Sequence, residues 1–216
     1  MKILAVDTAL GACSAAVLDD DAVLARRFVA MERGHAEALA PMVAEVMGEA
    51  QIGFESLDRL AVTVGPGTFT GQRVGLAFMR GLRVALKKPL TGVTSLAAMA
   101  QQAIAQTGAG HAAVLHDAHR GEIYLEIDGD GPCLIRFEDS VPLLHQVNGT
   151  LALAGTAAPR MVTILHTEGL TPLLTNIIAP DALWVARLAA KLEPLESAPR
   201  PLYLRPPDAK LPAARP

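Results

Sequence analysis

The sequence predicts an α/β protein in which helices pack on mixed sheets, divided into two halves. Three short apolar runs come first, and helical and strand-like segments then alternate, which is the order expected of a mixed sheet flanked by helices. The 216 residues suffice for one large domain or two of roughly 100 residues each. A content of 51% hydrophobic and 19% charged residues is typical of a globular protein with a buried core.

Three strands are predicted at the start of the chain. Apolar runs occupy residues 2–6, 13–18 and 23–29, and an acidic turn at residues 19–21 separates the last two. Short apolar runs bounded by turn residues are typical of strands. We therefore expect these three segments to lie side by side in one sheet.

Helices and strands alternate over the rest of the first half. Apolar residues recur at three- and four-residue spacing over residues 35–47, which predicts a helix, and Pro41 predicts a bend or a missing hydrogen bond within it. The next elements are a strand, a helix, a strand and a helix, at residues 60–64, 71–86, 90–93 and 95–105.

Small residues at 107–110 predict a boundary between the halves. We assign residues 1–107 to an N-terminal lobe and residues 108–216 to a smaller C-terminal lobe with a proline-rich tail. The elements predicted in the second lobe are strands at residues 112–115, 122–127, 150–154 and 161–165 and a helix at residues 181–192.

Charge and composition exclude several classes of function. The net charge is −3, whereas a protein that binds nucleic acid by itself usually carries a basic domain or stripe, so autonomous nucleic-acid binding is not expected. Polar residues interrupt the uncharged stretch 89–116 too often for a membrane span, and Asp7 comes too early for a signal peptide. A cytosolic protein without membrane contact is expected, with Cys13 and Cys133 as half-buried thiols.

A glycine-rich loop follows the predicted strand 60–64. Gly65, Gly67 and Gly71, with Thr68 and Thr70 between them, lead into the next helix, for which Thr70 is the expected N-cap. Backbone N–H groups at such a helix start could hold an anion. The spacing matches neither a Walker loop nor the dinucleotide fingerprint, and glycines also serve simply to turn a strand into a helix. Both interpretations stay open.

The helix at 71–86 carries arginine together with aliphatic side chains on one face. Phe78, Leu82, Ala85 and Leu86 form the face expected to be buried. The opposite face contains Arg73, Leu76, Ala77, Arg80, Arg83, Val84 and Lys87. Such a mixture is typical of a protein–protein surface, although a solvated basic helix is the alternative. On the preceding helix, Ala36, Ala40 and Ala44 form a stripe that would let another helix approach closely.

Titratable residues do not form a recognisable catalytic pattern. His116 and His119 flank Asp117 as in a metal-site fragment, but the following sequence is typical of a turn between strands. His35 is expected to pack beside the first helix. Asp7, Asp117 and Glu122 lie at predicted strand ends and could meet in space for acid–base chemistry.

Several blocks of the sequence resemble the bacterial TsaB (YeaZ) family, in the family's order along the chain. They are residues 3–9, Cys13 and Ser14, His35, and residues 65–75, 92–96, 117–124 and 201–205. The Gly-Pro-Gly block with its Phe-Thr-Gly continuation at 65–71 is highly specific, whereas residues 128–200 match only loosely.

The resemblance implies a two-lobed fold of the actin-like ATPase superfamily, with a ribonuclease-H-like sheet in each lobe. It implies a non-catalytic subunit that binds the paralogue TsaD, and with it the ATPase TsaE, in the transfer of threonylcarbamoyl to the adenine beside the anticodon of tRNAs that read codons beginning with adenine. tRNA would be contacted only through the complex. The Asp7–Thr8 turn and the loop 65–71 would then be a vestigial nucleotide site or a structural loop.

The resemblance also has implications for whether the chain binds a metal ion or a nucleotide. The paralogue's two metal-binding histidines correspond to Ser95 and Met99, neither of which supplies an imidazole, so no metal and no catalytic residue is expected. Gly155 stands where the superfamily has a glycine-rich adenosine motif, so no autonomously bound cofactor is expected, while ATP or ADP at the junction with TsaD stays open.

The helices 36–47 and 71–86 are implied as the docking surface for TsaD, with the interface residues Ala36, Ala40, Ala44, Arg73, Leu76, Arg80, Arg83 and Val84. Without TsaD, the same surface would form a homodimer. The alternatives are an active metallopeptidase, as the family's glycoprotease-like label suggests, a small-molecule kinase of the same superfamily, or a direct tRNA-binding module.

Overall fold

The first sheet contains five strands and is built from the first half of the chain. In the computed structural model, which describes residues 1–194 and 196–205, strand order is β3-β2-β1-β4-β5. The strands are β1 (Lys2–Asp7), β2 (Ala12–Asp19), β3 (Ala22–Ala30), β4 (Arg59–Gly65) and β5 (Leu90–Thr94). β1 pairs antiparallel with β2 and parallel with β4, so the predicted mixed sheet is confirmed.

Three helices of the first half connect these strands. They are α1 (His35–Ala50), α2 (Phe69–Leu86) and α3 (Ser95–Thr107), with a short 3-10 turn at Phe54–Ser56. α1 runs on through Pro41, and Pro41 lies on its exposed side. All the predicted elements of this half are confirmed, with ends shifted by at most three residues.

The second sheet has the order β10-β9-β6-β7-β8. Its strands are β6 (His111–Asp117), β7 (Glu122–Ile127), β8 (Cys133–Arg136), β9 (Leu151–Ala154) and β10 (Leu173–Leu174). The helices are α4 (Phe137–Leu144), α5 (Ala158–Thr167) and α6 (Ala182–Lys191). β8, α4 and β10 were not predicted, because these short elements show no sustained apolar period.

The strand predicted at residues 161–165 is wrong, because this segment lies within α5. Met161 and Leu165 are fully buried and stand four residues apart, on the same side of the helix as Ala158. A short apolar run does not by itself distinguish a strand from a buried helix segment. Here the helix is favoured because these three side chains share one apolar face.

β1 is buried on both faces, which explains its uninterrupted apolar sequence. Leu4 and Val6 pack in the cluster with α1 and α2, whereas Ile3 and Ala5 pack against α6 on the other face. α6 therefore returns from the second half of the chain to cover the first sheet. The buried Asp181 carboxylate receives the guanidinium of Arg26 from β3 and holds the start of α6 in place.

α3 lies between the two sheets and joins them. Leu96 and Met99 pack in one cluster with Leu10 of the first lobe and with Val114 and Ala152 of the second. The boundary at residue 107 stays a prediction, but the packing of α3 and α6 shows that each lobe depends on the other half of the chain. Residues 206–216 of the predicted proline-rich tail lie outside the described residues. Within the part of the chain that the structure describes, no helix has the length and apolarity to cross a membrane.

Candidate functional site

The carboxylate of Asp7 is buried at the end of β1 and faces β4, the strand that leads into the glycine-rich loop. Its Oδ1 accepts hydrogen bonds from Thr63 Oγ1 at 2.5 Å and from the backbone N–H of Ala9 at 3.1 Å. Its Oδ2 is buried and has no hydrogen-bond partner within residues 1–194 and 196–205. Burial disfavours the charged form and raises the pKa of Asp7 to about 7.

Asp7 is expected to make the protein less stable as pH rises from about 4 to 7. Its pKa lies above the ordinary value of 3.8, so the folded protein retains a proton that the unfolded chain has already released. Between about pH 5 and 7 the free energy of unfolding of the wild type is expected to fall. In Asp7→Asn this fall should be smaller than in the wild type by about 2 kcal/mol. Urea denaturation at several pH values measures this difference.

The control for this experiment is Asp21→Asn, since Asp21 lies exposed in the turn before β3. Its pH profile is expected to match that of the wild type. A profile of Asp7→Asn with the same slope as the wild type would show that Asp7 is ionised in the folded protein throughout this range.

Thr8 ties the end of β1 to helix α2. Its Oγ1 donates to the carbonyl of Gly71 at 2.7 Å and accepts from the N–H of Gly75 at 3.0 Å. A Cβ on Gly71 would lie 2.1 Å from the carbonyl oxygen of Thr8, and a Cβ on Gly67 would lie 2.2 Å from that of Ala9. These glycines therefore allow the loop to pack directly against the backbone after β1.

Two N–H groups at the start of α2 donate hydrogen bonds within the fold. Thr68 N–H donates to Ala9 O at 2.8 Å, and Gly71 N–H donates to Thr68 Oγ1 at 3.1 Å. Thr68 is thus the N-cap, and the prediction of Thr70 was wrong, because Thr70 lies exposed in the first turn. At Gly65, with φ of +105°, the loop turns over Gln72, whose Nε2 donates to Gly67 O at 2.9 Å. This geometry favours the structural loop over an anion site.

Ser95 and Met99 are both fully buried and belong to the packing of the fold. Ser95 Oγ donates to the carbonyl of Pro66, and Met99 lies in the cluster between the sheets. Among the described residues no three His, Cys, Asp or Glu side chains are arranged to hold a metal ion. His116 is partly buried, and desolvation lowers its pKa to about 4, whereas His119 is exposed.

The three candidate acid–base residues have separate partners. Asp7 is bound by Thr63, Glu122 pairs with the guanidinium of Arg205, and Asp117 Oδ1 accepts from His119 N–H at 2.9 Å. Each of the three carboxylates therefore makes a structural contact of its own.

Four further predicted positions have structural roles or differ from expectation. His35 Nε2 lies 3.1 Å from the carbonyl of Leu10, as expected of a packing histidine. At Gly155 a Cβ would lie 2.2 Å from Leu115 O, so close backbone packing accounts for this glycine. Cys13 is buried, with its pKa raised to about 11, but Cys133 is exposed, because β8 is an edge strand.

Small residues line the exposed sides of α1 and α2, which pack against each other. Ala36, Ala40 and Ala44 are exposed on α1, as the predicted stripe requires. On α2 the exposed small residues are Ala77, Gly81 and Ala85, which the sequence analysis did not combine into a stripe. Their four-residue spacing in the sequence would have indicated this stripe, because residues four apart lie on the same face of a helix. The prediction that Ala85 is buried was wrong, because it lies one turn after Gly81 on the exposed side of the helix. We call these six residues together with Val84, which is 77% exposed, the small-residue face.

Leu76 is not part of this face. It is 2% exposed and packs in the core with Met79, because the close approach of Gly71 and Gly75 to Thr8 turns this side of α2 inward. This corrects its assignment to the partner interface.

Arg80 and Arg83 bind a C-terminal strap, which we define as residues 196–205. Arg80 Nε donates to Pro199 O at 3.1 Å, and Arg83 Nη2 donates to Glu196 O at 2.7 Å. These contacts are internal and differ from the predicted contact with a partner. Arg73 is exposed, and its guanidinium lies 3.2 Å from the ring centroid of Phe69.

The strap also connects the two lobes. Leu202 N–H donates to Val64 O at the end of β4, at 2.7 Å, and Tyr203 stacks on Phe69 with 5.8 Å between ring centroids. Arg205 Nη1 donates to Ala118 O in the β6–β7 turn, also at 2.7 Å. The block at 201–205 noted in the sequence is therefore a lobe-bridging segment.

Comparisons with known proteins agree with this architecture. Residues 29–131, which include α1 and α2, match the family model described as TsaD: tRNA N6-adenosine threonylcarbamoyltransferase. The chain is 38% identical over 124 residues to the tRNA threonylcarbamoyladenosine biosynthesis protein TsaB of Escherichia coli. It is 35% identical over 211 residues to an uncharacterised protein of Mycobacterium tuberculosis, covering 96% of this chain and 93% of that one. The chain belongs to the TsaB/YeaZ family.

The solved structures extend the family relationship to the fold. YeaZ from Pseudomonas aeruginosa matches with a TM-score of 0.77 and 28% identity, covering 94% of this chain and 99% of that one. A ROK hexokinase from Thermus thermophilus shares the fold alone, with a TM-score of 0.51, 14% identity and coverage of 88% and 99%. The predicted fold of the actin-like ATPase superfamily is confirmed. The alignment with the E. coli TsaB protein spans 57% of this chain and about half of that protein, 53% of its length.

Proposed function

We propose that this protein is a non-catalytic subunit in the biosynthesis of threonylcarbamoyladenosine in tRNA and that it docks a TsaD-type partner. The names of its TsaB relatives support the role in this modification. We place it in the cytosol, where tRNA is modified.

The small-residue face is the observation that carries the docking proposal. Alanine and glycine on two adjacent helices let the backbone of a partner helix approach closely, and Val84 adds an exposed apolar side chain between them. The segment that matches the TsaD-type family model contains both helices, which supports a partner related to this chain. Arg73 lies exposed at the start of α2 and is proposed as a contact at the edge of this interface.

The positions of Ser95 and Met99 support a non-catalytic role. Both side chains are buried, Ser95 in a hydrogen bond to the carbonyl of Pro66 and Met99 in an apolar cluster, and a metal at this place would need imidazole or carboxylate ligands instead. The metallopeptidase and kinase alternatives would each require tight binding of metal or nucleotide by the isolated chain. We propose that TsaE joins through the TsaD-type partner, that tRNA is contacted only in the complex, and that any ATP or ADP is held at the junction between subunits.

Size exclusion with light scattering, on the chain alone and mixed with the TsaD protein of the same organism, tests this proposal. We expect a homodimer for the isolated chain and a heterodimer in the mixture. Transfer of threonylcarbamoyl to tRNA, measured with TsaE and ATP present, should require both chains. Transfer by the TsaD protein without this chain, or tight binding of metal or ATP to this chain alone, would contradict the proposal.

A further inference from the structure

A cavity of about 610 Å³ lies between the two lobes, apart from the site described above. The end of β5, helix α3, the turn after β7 and helix α6 form its walls. Neither Asp7, the loop 65–71 nor the small-residue face lines it. Its size is within the range of pockets that bind small molecules.

The cavity has apolar walls on the side of the two helices. The apolar lining residues are Ala97, Ala100 and Ile104 of α3, Leu188 of α6, and Leu192 directly after α6. Such walls suit a hydrocarbon group of a ligand, because burying apolar surface is the main favourable contribution to binding in such pockets.

Glu126 supplies a buried carboxylate to this cavity. It lies on β7 between Leu125 and Ile127, which pack in the core of the second lobe, so its own side chain points to the opposite face, towards α3. It is only 2% exposed. Its Oε2 accepts a hydrogen bond from Thr94 Oγ1 at 3.1 Å, and among the described residues its Oε1 receives none and no cation pairs with it.

A buried carboxylate with one free oxygen is costly unless a cation or a donor binds it. Burial raises the pKa of Glu126 to about 7, so near neutral pH a bound cation would favour its charged form. No lysine or arginine is found among the described residues that line the cavity. The described residues that line the cavity therefore supply no lysine or arginine charge to balance the Glu126 carboxylate.

A second acidic residue lies at the rim. Asp128 Oδ2 is 2.5 Å from His111 Nδ1, and Oδ1 accepts from Ala112 N–H at 2.9 Å, so both oxygens are engaged and the residue is fixed. Together with Glu126 it disfavours anions in the cavity. A metal ion is not supported either, because among the described residues no three His, Cys, Asp or Glu side chains lie close enough together to hold one.

We propose that this cavity binds a small organic cation, whose ammonium or guanidinium group is held by Glu126 and whose hydrocarbon part lies between α3 and α6. The aliphatic walls and the free carboxylate oxygen match the two parts of such a ligand. The proposal does not depend on docking of a partner, so the two can fail separately.

The probe for a first test is n-hexylamine, with 1-hexanol as the neutral analogue of the same length. Titrations followed by NMR spectra of the backbone amides, at about pH 8 where Glu126 is largely ionised, report binding residue by residue. We expect saturable shifts at Thr94, Gln101 and Gly129 with the amine, and binding of the alcohol weaker by at least about tenfold. Equal binding of both compounds, or shifts elsewhere only, would overturn the proposal.

Two variants and a matched control sharpen the test. Glu126→Gln retains the shape and removes the charge, and we expect it to weaken amine binding by at least about tenfold without affecting the alcohol. Leu192→Arg, at a partly exposed position, adds a tethered cation at the cavity and should also weaken amine binding. Asp139→Asn removes an exposed carboxylate on α4 that does not line this cavity and should leave binding unchanged. Wild-type affinity in both Glu126→Gln and Leu192→Arg would refute the assignment.

Discussion

Replacing Val84 with glutamate is expected to abolish association with a TsaD-type partner while the fold stays intact. Val84 is 77% exposed in the last turn of α2 and belongs to the small-residue face, so in the proposed interface its side chain would be buried. A carboxylate placed there would lose its hydration without gaining a partner, and we expect association to weaken at least about 100-fold. The homodimer expected for the isolated chain should be lost with it.

The substitution is well tolerated by the helix itself. Glutamate is a good helix former, and Val84 is exposed, so in the isolated chain the new carboxylate stays in water. A loss of association would therefore report on the surface and not on unfolding.

Ile178→Glu is the matched control for this prediction. Ile178 is 51% exposed, and it lies between β10 and α6, away from both helices of the small-residue face. Light scattering of each variant mixed with the TsaD protein should give a heterodimer for Ile178→Glu and separate chains for Val84→Glu. A heterodimer with Val84→Glu would show that the partner docks elsewhere.

The second large effect is expected for Gly71→Ala, which should destabilise the protein by about 3 kcal/mol or more. The added Cβ would lie 2.1 Å from Thr8 O and 2.6 Å from Thr68 Oγ1, far inside contact distance. The backbone of β1 and the first turn of α2 would have to separate to admit it. Both hydrogen bonds of Thr8 to α2 would then be disturbed.

Gly81→Ala provides the control within the same helix. A Cβ at Gly81 meets nothing within 4 Å, so the change should stabilise the protein by about 0.5–1 kcal/mol through helix propensity. Urea denaturation of the two variants measures both effects. If Gly71→Ala were as stable as the wild type but had lost binding of inorganic phosphate, the loop would be an anion site and its structural role would be refuted.

How well each element could be predicted from the sequence depended on the local pattern of its residues. β1, α1 and the loop 65–71 were predicted because their signals are periodic or rest on neighbouring glycines. The segment of α5 was mistaken for a strand because its apolar run is too short to show a period. At the loop, both the anion site and the tight turn fitted the sequence, and the hydrogen bonds of Thr68 now favour the turn.

The sequence by itself determined the mixed α/β class and the elements around β1, because these follow from local composition and spacing along the chain. The family was identified from blocks of sequence that resemble it. Only the tertiary structure decided that α6 covers the first sheet, that Leu76 is buried, and that Glu126 faces a cavity. Periodicity identifies the faces of a helix or strand, but which neighbour covers each face depends on contacts between residues far apart in sequence.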